Sequence, residues 1–265
     1  MNREPLDNVP LWLLFAGACA LAWFALEGGY RLGRWRHLRV AEEKETPVGA
    51  MVAAILGLLA FLLAFTFSLA ESRFDARREA VLQEANAIGT TYLRARLLPE
   101  PERTKVAQLL RDYVDVRLPN LQQGNGSQVI TQAIVRSEEL QDQLWSQATS
   151  AAEKKPTILT ALFVQSLNEV IDMHSKRMMV GWYSRIPISI WAGLFGLALL
   201  GMAAVGYQSG LSATRRSPAM LGIVVGFAGV LFLIADLDRA HEGLLTVSQQ
   251  PMIDLQKSMH KDKTP

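Results

Sequence analysis

Four stretches of the chain carry no charged residue and are built mainly from Leu, Ala, Phe, Ile, Val and Gly: residues 11–26, 46–70, 186–207 and 218–235. At about 1.5 Å per helical residue, runs of this length approach or exceed a ~30 Å hydrocarbon core, so each predicts a membrane-spanning helix, the first and fourth near the short limit. Thr46 and Pro47 form a helix start for the second run, a capping hydroxyl followed by a proline whose missing N–H costs nothing there. Only Gly57 and Gly89 interrupt residues 51–98, so the second span is expected to continue as one rod into the polar region beyond Glu71.

Between the second and third runs, apolar residues recur at three, four and seven positions, the period of helices packed on a core. Residues 102–118 are expected to turn Val106, Leu109, Leu110, Tyr113 and Val114 inward. Residues 128–152 use Ile130, Ala133, Leu140 and Leu144, and residues 157–184 use Leu162, Leu167, Val170, Ile171 and Met178. Leu98-Pro99-Glu100-Pro101, the turn-rich segment 120–127 and Lys155-Pro156 separate them. No alternating strand pattern of useful length appears. The expected fold is all-α: a four-span polytopic membrane protein with a helical domain inserted between the second and third spans. Its divisions are a first helix pair in 1–70, the domain in 71–184, a second pair in 185–236 and a C-terminal tail from 237 to 265.

The composition, 50% hydrophobic yet 20% charged over 265 residues, fits that segregation. A net charge of +2, with basic residues spread along the chain, excludes a nucleic-acid surface. The single cysteine, Cys19, excludes an internal disulfide and reads as a packing residue. A cleaved signal around Ala18-Cys19-Ala20 is the alternative for the first span, but apolar residues continue through Trp23 and Phe24, which fits a retained anchor better. Trp12, Tyr30 and Trp35 flank the first span and Trp182, Tyr183, Trp191 and Tyr207 the third, as an interfacial belt requires. The four histidines have no zinc-binding or nucleophile–base spacing, so no enzyme and no cofactor is expected.

Along the second span Ala50, Ala53, Gly57, Ala60, Ala64 and Ser68 form one stripe of small residues. Such a stripe serves tight helix packing, or lines a pore with Phe61, Phe65 and Phe67 as an apolar constriction. Gly222-x-x-x-Gly226 is a close-packing motif, within one chain or between chains, with Ala192-x-x-x-Gly196 as a looser counterpart. Three polar clusters lie beside the membrane: Glu71, Arg73, Asp75, Arg77 and Arg78; Asn168, Glu169, Asp172, His174 and Arg177; and Asp236, Asp238 and Arg239. The oxygen donors of the last two would suit a hard cation such as calcium, but no dense loop motif accompanies them, and an interhelical salt-bridge network is the competing reading.

Phe74 with Arg77-Arg78, Glu84-Ala85-Asn86-Ala87-Ile88-Gly89, Tyr92-Leu93-Arg94-Ala95 and Leu98-Pro99 resemble the bacterial bestrophin-like family. The resemblance continues through residues 166–172, Arg177, Arg185-Ile186-Pro187 and Asp236-Leu237-Asp238-Arg239 with Gly243; Ala240 departs from it where proline is expected. It implies a distant likeness to bestrophins: oligomeric anion channels with four spans, a cytosolic helical domain and a pore lined by the second span. Charge bias alone leaves orientation open, because Arg31, Arg34, Arg36 and Arg39 put the first loop in the cytoplasm while Arg73, Arg77, Arg78 and Arg185 favour the domain side. The resemblance tips the domain to the cytosol of a bacterial inner membrane.

The resulting expectation is a homo-oligomeric channel in a lipid bilayer that passes inorganic ions. Ala53, Gly57, Ala60, Phe61, Ala64, Phe65 and Ser68 would line it, and Arg73, Arg77 and Arg78 would recruit anions. A membrane-anchored sensor or scaffold with a ligand- or partner-binding helical domain is the alternative.

Overall fold

Every charge-free run becomes a helix, and each helix extends past its run at the C-terminal end. The computed structural model describes residues 9–39, 45–118, 126–212, 218–239 and 243–261. Its helices are α1 (Leu11–Arg39), α2 (Glu45–Ala95), α3 (Glu102–Arg117), α4 (Gly126–Lys154), α5 (Ile158–Met178), α6 (Ile188–Leu211), α7 (Pro218–Asp238) and α8 (Gln250–Lys261). α1, α2, α6 and α7 are long and apolar enough to cross a membrane, and no strand occurs among the described residues. α2 runs unbroken for 51 residues because no proline follows Pro47 until Pro99. After Pro156, the Thr157 hydroxyl accepts a 3.3 Å bond from the Thr160 amide and caps α5, a contact worth about 1 kcal/mol. α5 ends in a π-helical turn, Met179–Tyr183, rather than continuing regularly to Ser184.

The chain divides into two compact units, Met1–Phe74 with Arg185–Thr246, and Asp75–Ser184 with Val247–Pro265. In the first, α1 and α6 approach until their backbones touch. A Cβ on Gly206 would lie 1.9 Å from the Leu26 carbonyl oxygen, and one on Gly29 would lie 2.0 Å from that of Ala203. Gly33 against Tyr207 and Gly210 against Tyr30 repeat the contact one turn on, at 2.2 and 2.3 Å. Only glycine permits this, and the gain is dispersion along two close backbones where lipid supplies no hydrophobic drive. A Cβ on Gly222, Gly226 or Gly196 would meet nothing within 4 Å among the described residues, where the close helix contact is made instead by Gly29, Gly33, Gly206 and Gly210. Leu59 and Leu63 of α2, Trp191 and Leu194 of α6, and Leu231 and Ile234 of α7 form the larger apolar cluster. Phe15 and Phe232 meet edge to face at 5.9 Å.

The second unit packs Ile88 and Tyr92 of α2, Leu110 and Val114 of α3, Leu140 and Leu144 of α4, and Phe163, Leu167 and Val170 of α5. Leu162, expected inside, is exposed; Phe163 takes the inward position one residue later, in phase with Leu167 and Val170. The segment read as a tail contributes α8, whose Met252 and Met259 are buried in this core with Leu255 against them. The turn at 120–125, Arg215-Arg216, Ala240 and His241-Glu242 lie outside the described residues, as do the side chains of Thr46, Ile130, Trp182 and Tyr183.

Candidate functional site

One face of α2 is open. Ala53, Gly57, Ala60, Ala64 and Ser68 are exposed, with Phe61 at 67% and Phe65 at 64%. The opposite face packs through Val52, Leu59, Leu63, Thr66 and Ala70, and the Thr66 hydroxyl donates to the Leu62 carbonyl at 2.7 Å instead of leaving a polar group in the apolar contact. All seven residues predicted to line a path therefore share one uncovered surface. Phe67 does not, because it turns back onto the apolar cluster of the first unit.

The three arginines separate. Arg78 is exposed, whereas Arg77 is buried at 5% and the Arg73 side chain is turned inward, one of its guanidinium nitrogens 3.9 Å from Asp238 Oδ1. Successive helix positions lie about 100° apart, so adjacent arginines cannot share an environment. The exposed charges beyond Ser68 are Glu71, Asp75 and Glu79 together with Arg78. Asp75, Arg78 and Glu79 also border an open recess of about 790 Å³ beside Ser248 and Gln250.

The carboxylates considered for a cation take two different environments. Asn168, Glu169 and Asp172 are exposed on α5, while Asp236, Asp238 and Arg239 are buried at the end of α7. The Asp236 carboxylate accepts the Leu244 and Leu245 amides at 2.8 and 3.1 Å. Gly243, at φ +157°, is required there, since a Cβ would stand 2.2 Å from Asp236 Oδ1. Asp238 accepts the Ile186 amide at 3.0 Å and faces Arg73 and Arg185, each 3.9 Å away. Arg185 also donates to the Asp238 carbonyl, and Arg239 to the Val9 carbonyl. Backbone amides and the chain's own guanidiniums thus neutralise this cluster, and no group of three or more His, Cys, Asp or Glu among the described residues is placed to hold a metal ion. The result is an ionic clasp tying the end of α7 to the residues entering α1 and α6.

A second polar centre lies inside the helical domain; the sequence pattern singles out its His174 and Arg177 as polar-cluster residues but not their partners Glu84, Tyr113 and Arg117. Glu84, fully buried, receives a two-pronged bond from Arg117 at 2.8 and 3.1 Å and a third from Arg177 at 2.5 Å. Arg177 passes on to Gln249 at 2.7 Å. The Tyr113 hydroxyl accepts from Gln141 at 3.1 Å and lies 3.4 Å from Glu84 Oε1 and 3.3 Å from His174 Nδ1. Burial alone would raise the Glu84 carboxyl, but Arg117 and Arg177 outweigh it and hold the group below the usual carboxylate range. Burial, reinforced by Arg117, pushes the His174 imidazole down to about 4. The available signal was a glutamate in phase with the buried positions Val81 and Ile88, three residues before it and four after.

His174 implies a pH dependence. Its folded-state value lies below the ordinary one near 6.5, so neutral His174 contributes stability above that pH, and the contribution is lost as pH falls towards 4. The loss should total about 3 kcal/mol in the helical domain. Denaturation midpoints measured across that window should fall for the natural chain and stay level for His174→Gln; an equal slope in both would assign the effect to other groups.

The pattern that defines the Bestrophin-like domain matches residues 19–252. This chain belongs to the bestrophin-like family. No curated protein matches it. Among solved structures, a bacterial bestrophin homolog from Klebsiella pneumoniae superposes on this bestrophin-like protein with a TM-score of 0.63 at 13% identity, covering 95% of this chain and 98% of that one. A crystal structure of a membrane-protein variant gives a TM-score of 0.68 at 13% identity, with 95% and 98% covered. At such identities the likeness establishes the fold: an all-helical, multi-pass membrane protein.

Proposed function

We propose that this bestrophin-like protein is a homo-oligomeric ion channel whose path runs along the open face of α2. The supporting observation is that Ala53, Gly57, Ala60, Ala64 and Ser68, with Phe61 and Phe65, share one uncovered face, while Val52, Leu59, Leu63, Thr66 and Ala70 on the opposite face are buried. Small residues facing lipid would waste a surface suited to close approach, and several copies around an axis would place this face at the centre with the two phenylalanines as an apolar constriction. Anion preference was expected from Arg73, Arg77 and Arg78. With two of these turned inward, Arg78 stands alone against exposed Glu71, Asp75 and Glu79, a balance that favours cations. We place the protein in a bacterial inner membrane with its helical domain in the cytosol, in line with the family resemblance.

The test is the reversal potential of purified oligomer in a planar bilayer under a potassium chloride gradient. A value near the potassium equilibrium potential supports the acidic mouth; a value near that of chloride returns selectivity to Arg78. No current from an intact oligomer would reject the channel in favour of a sensor or scaffold. Gly57→Leu and Ala60→Leu should each abolish most of the current while the oligomer persists on sizing. Undiminished current in both would remove this face from the path.

A further inference from the structure

The C-terminal end of α1 has no part in the proposed path. α1 is 29 residues long, about 44 Å, which exceeds a ~30 Å hydrocarbon core by roughly nine residues. With the apolar run beginning at Leu11, that excess is the segment from Arg31 to Arg39, which falls at headgroup depth. Gly33 fixes how the segment is turned, since its Cβ position lies 2.2 Å from the Tyr207 carbonyl oxygen of α6. Helical spacing then directs Arg31, Trp35, Leu38 and Arg39 to the side away from α6, with Arg34 on its flank. All five are exposed, Trp35 at 48% and Leu38 at 77%. The Arg39 guanidinium lies 4.4 Å from the centre of the Trp35 ring, and Arg31 is held by Glu27 at 2.8 Å.

We infer that this face binds the headgroups of anionic phospholipids. Three guanidiniums provide positive charge for phosphate, while Trp35 and Leu38 enter the boundary between headgroups and acyl chains. Only one carboxylate, Glu27, is paired with the three arginines in the described structure, so the face has charge to spare for an anion. Arginines that served only to orient the chain during insertion would need charge but no shared face with an indole. A second copy presenting the same face would bring like charges together. The inference stands independently of ion conduction.

Full-length protein in phosphatidylcholine vesicles is compared with its Trp35→Phe variant, so that the fluorescence difference isolates Trp35. A minor fraction of the lipid is supplied as brominated phosphatidylglycerol or as brominated phosphatidylcholine. Brominated phosphatidylglycerol should quench Trp35 preferentially at low salt, and each arginine replaced by glutamine should lower the preference about fivefold. Arg31→Lys, Arg34→Lys and Arg39→Lys together should retain most of it, which separates lost charge from lost folding. Equal quenching by the two lipids would overturn the inference, as would a preference unchanged in the triple glutamine variant. Quenching by neither lipid would assign the face to another protein surface and overturn it equally.

Discussion

Gly206→Ala is expected to lower the unfolding temperature of the membrane unit sharply, while Gly222→Ala leaves it unchanged. The added methyl in the first variant would sit 1.9 Å from the Leu26 carbonyl oxygen and 2.8 Å from the Tyr30 amide nitrogen, both rigid helix backbone. No rotamer relieves that overlap. The helices must separate by more than an ångström, loosening the contacts at Gly29, Gly33 and Gly210 together, so the cost should reach about 3 kcal/mol or more. At Gly222 the methyl meets nothing within 4 Å among the described residues, and alanine is the better helix former. Cys19, partly buried beside Ala22 and Met202, is a built-in reporter, because a thiol-reactive dye added during heating labels it as α1 detaches. Equal labelling midpoints in the two variants would show that the α1–α6 crossing does not hold the unit together. A change in oligomer size confined to Gly222→Ala would show that this glycine face packs between copies.

Replacing Glu84 by alanine should be the most damaging single change in the helical domain. Glu84 is the one carboxylate bonded to both Arg117 and Arg177, so its removal leaves two inward guanidiniums without their counter-ion. Breaking a buried pair in this way costs about 3–5 kcal/mol, because the desolvation already incurred is no longer offset. Glu84→Gln should be nearly as harmful, since shape is kept and charge is not. Combining Glu84→Gln with Arg117→Met should recover part of the loss by removing one stranded cation. Chemical denaturation followed by circular dichroism reads all three. A double variant no more stable than Glu84→Gln would mean that charge is not what the network balances. Acid should act in the same direction, because a carboxylate held below its ordinary range contributes stability that disappears as pH falls through its folded-state value.

Much of the architecture was legible because it depends on local chemistry. A charge-free run long enough for the bilayer becomes a span whatever surrounds it, and the missing prolines between Pro47 and Pro99 require one rod there. The α2 stripe was equally legible, since three- and four-residue spacing fixes which residues share a helix face before any neighbour is known. Spacing does not say which face meets a partner. Gly222-x-x-x-Gly226 and Gly206-x-x-x-Gly210 have the same form, yet among the described residues only the second meets another backbone. Arg77 and Arg78 likewise have the same chemistry, and helix rotation buries one and exposes the other.

The sequence by itself therefore determined the spans, the continuous α2 helix, the face its small residues share and the family. Each of these follows from composition or period along a single segment. Tertiary structure alone decided that Glu84 lies between Arg117 and Arg177, that Asp236 holds the amides of Leu244 and Leu245, and that Met252 and Met259 complete the domain core. Those contacts join residues far apart in the chain or across a turn. Burial, which makes each of them strong, exists only once the helices have packed.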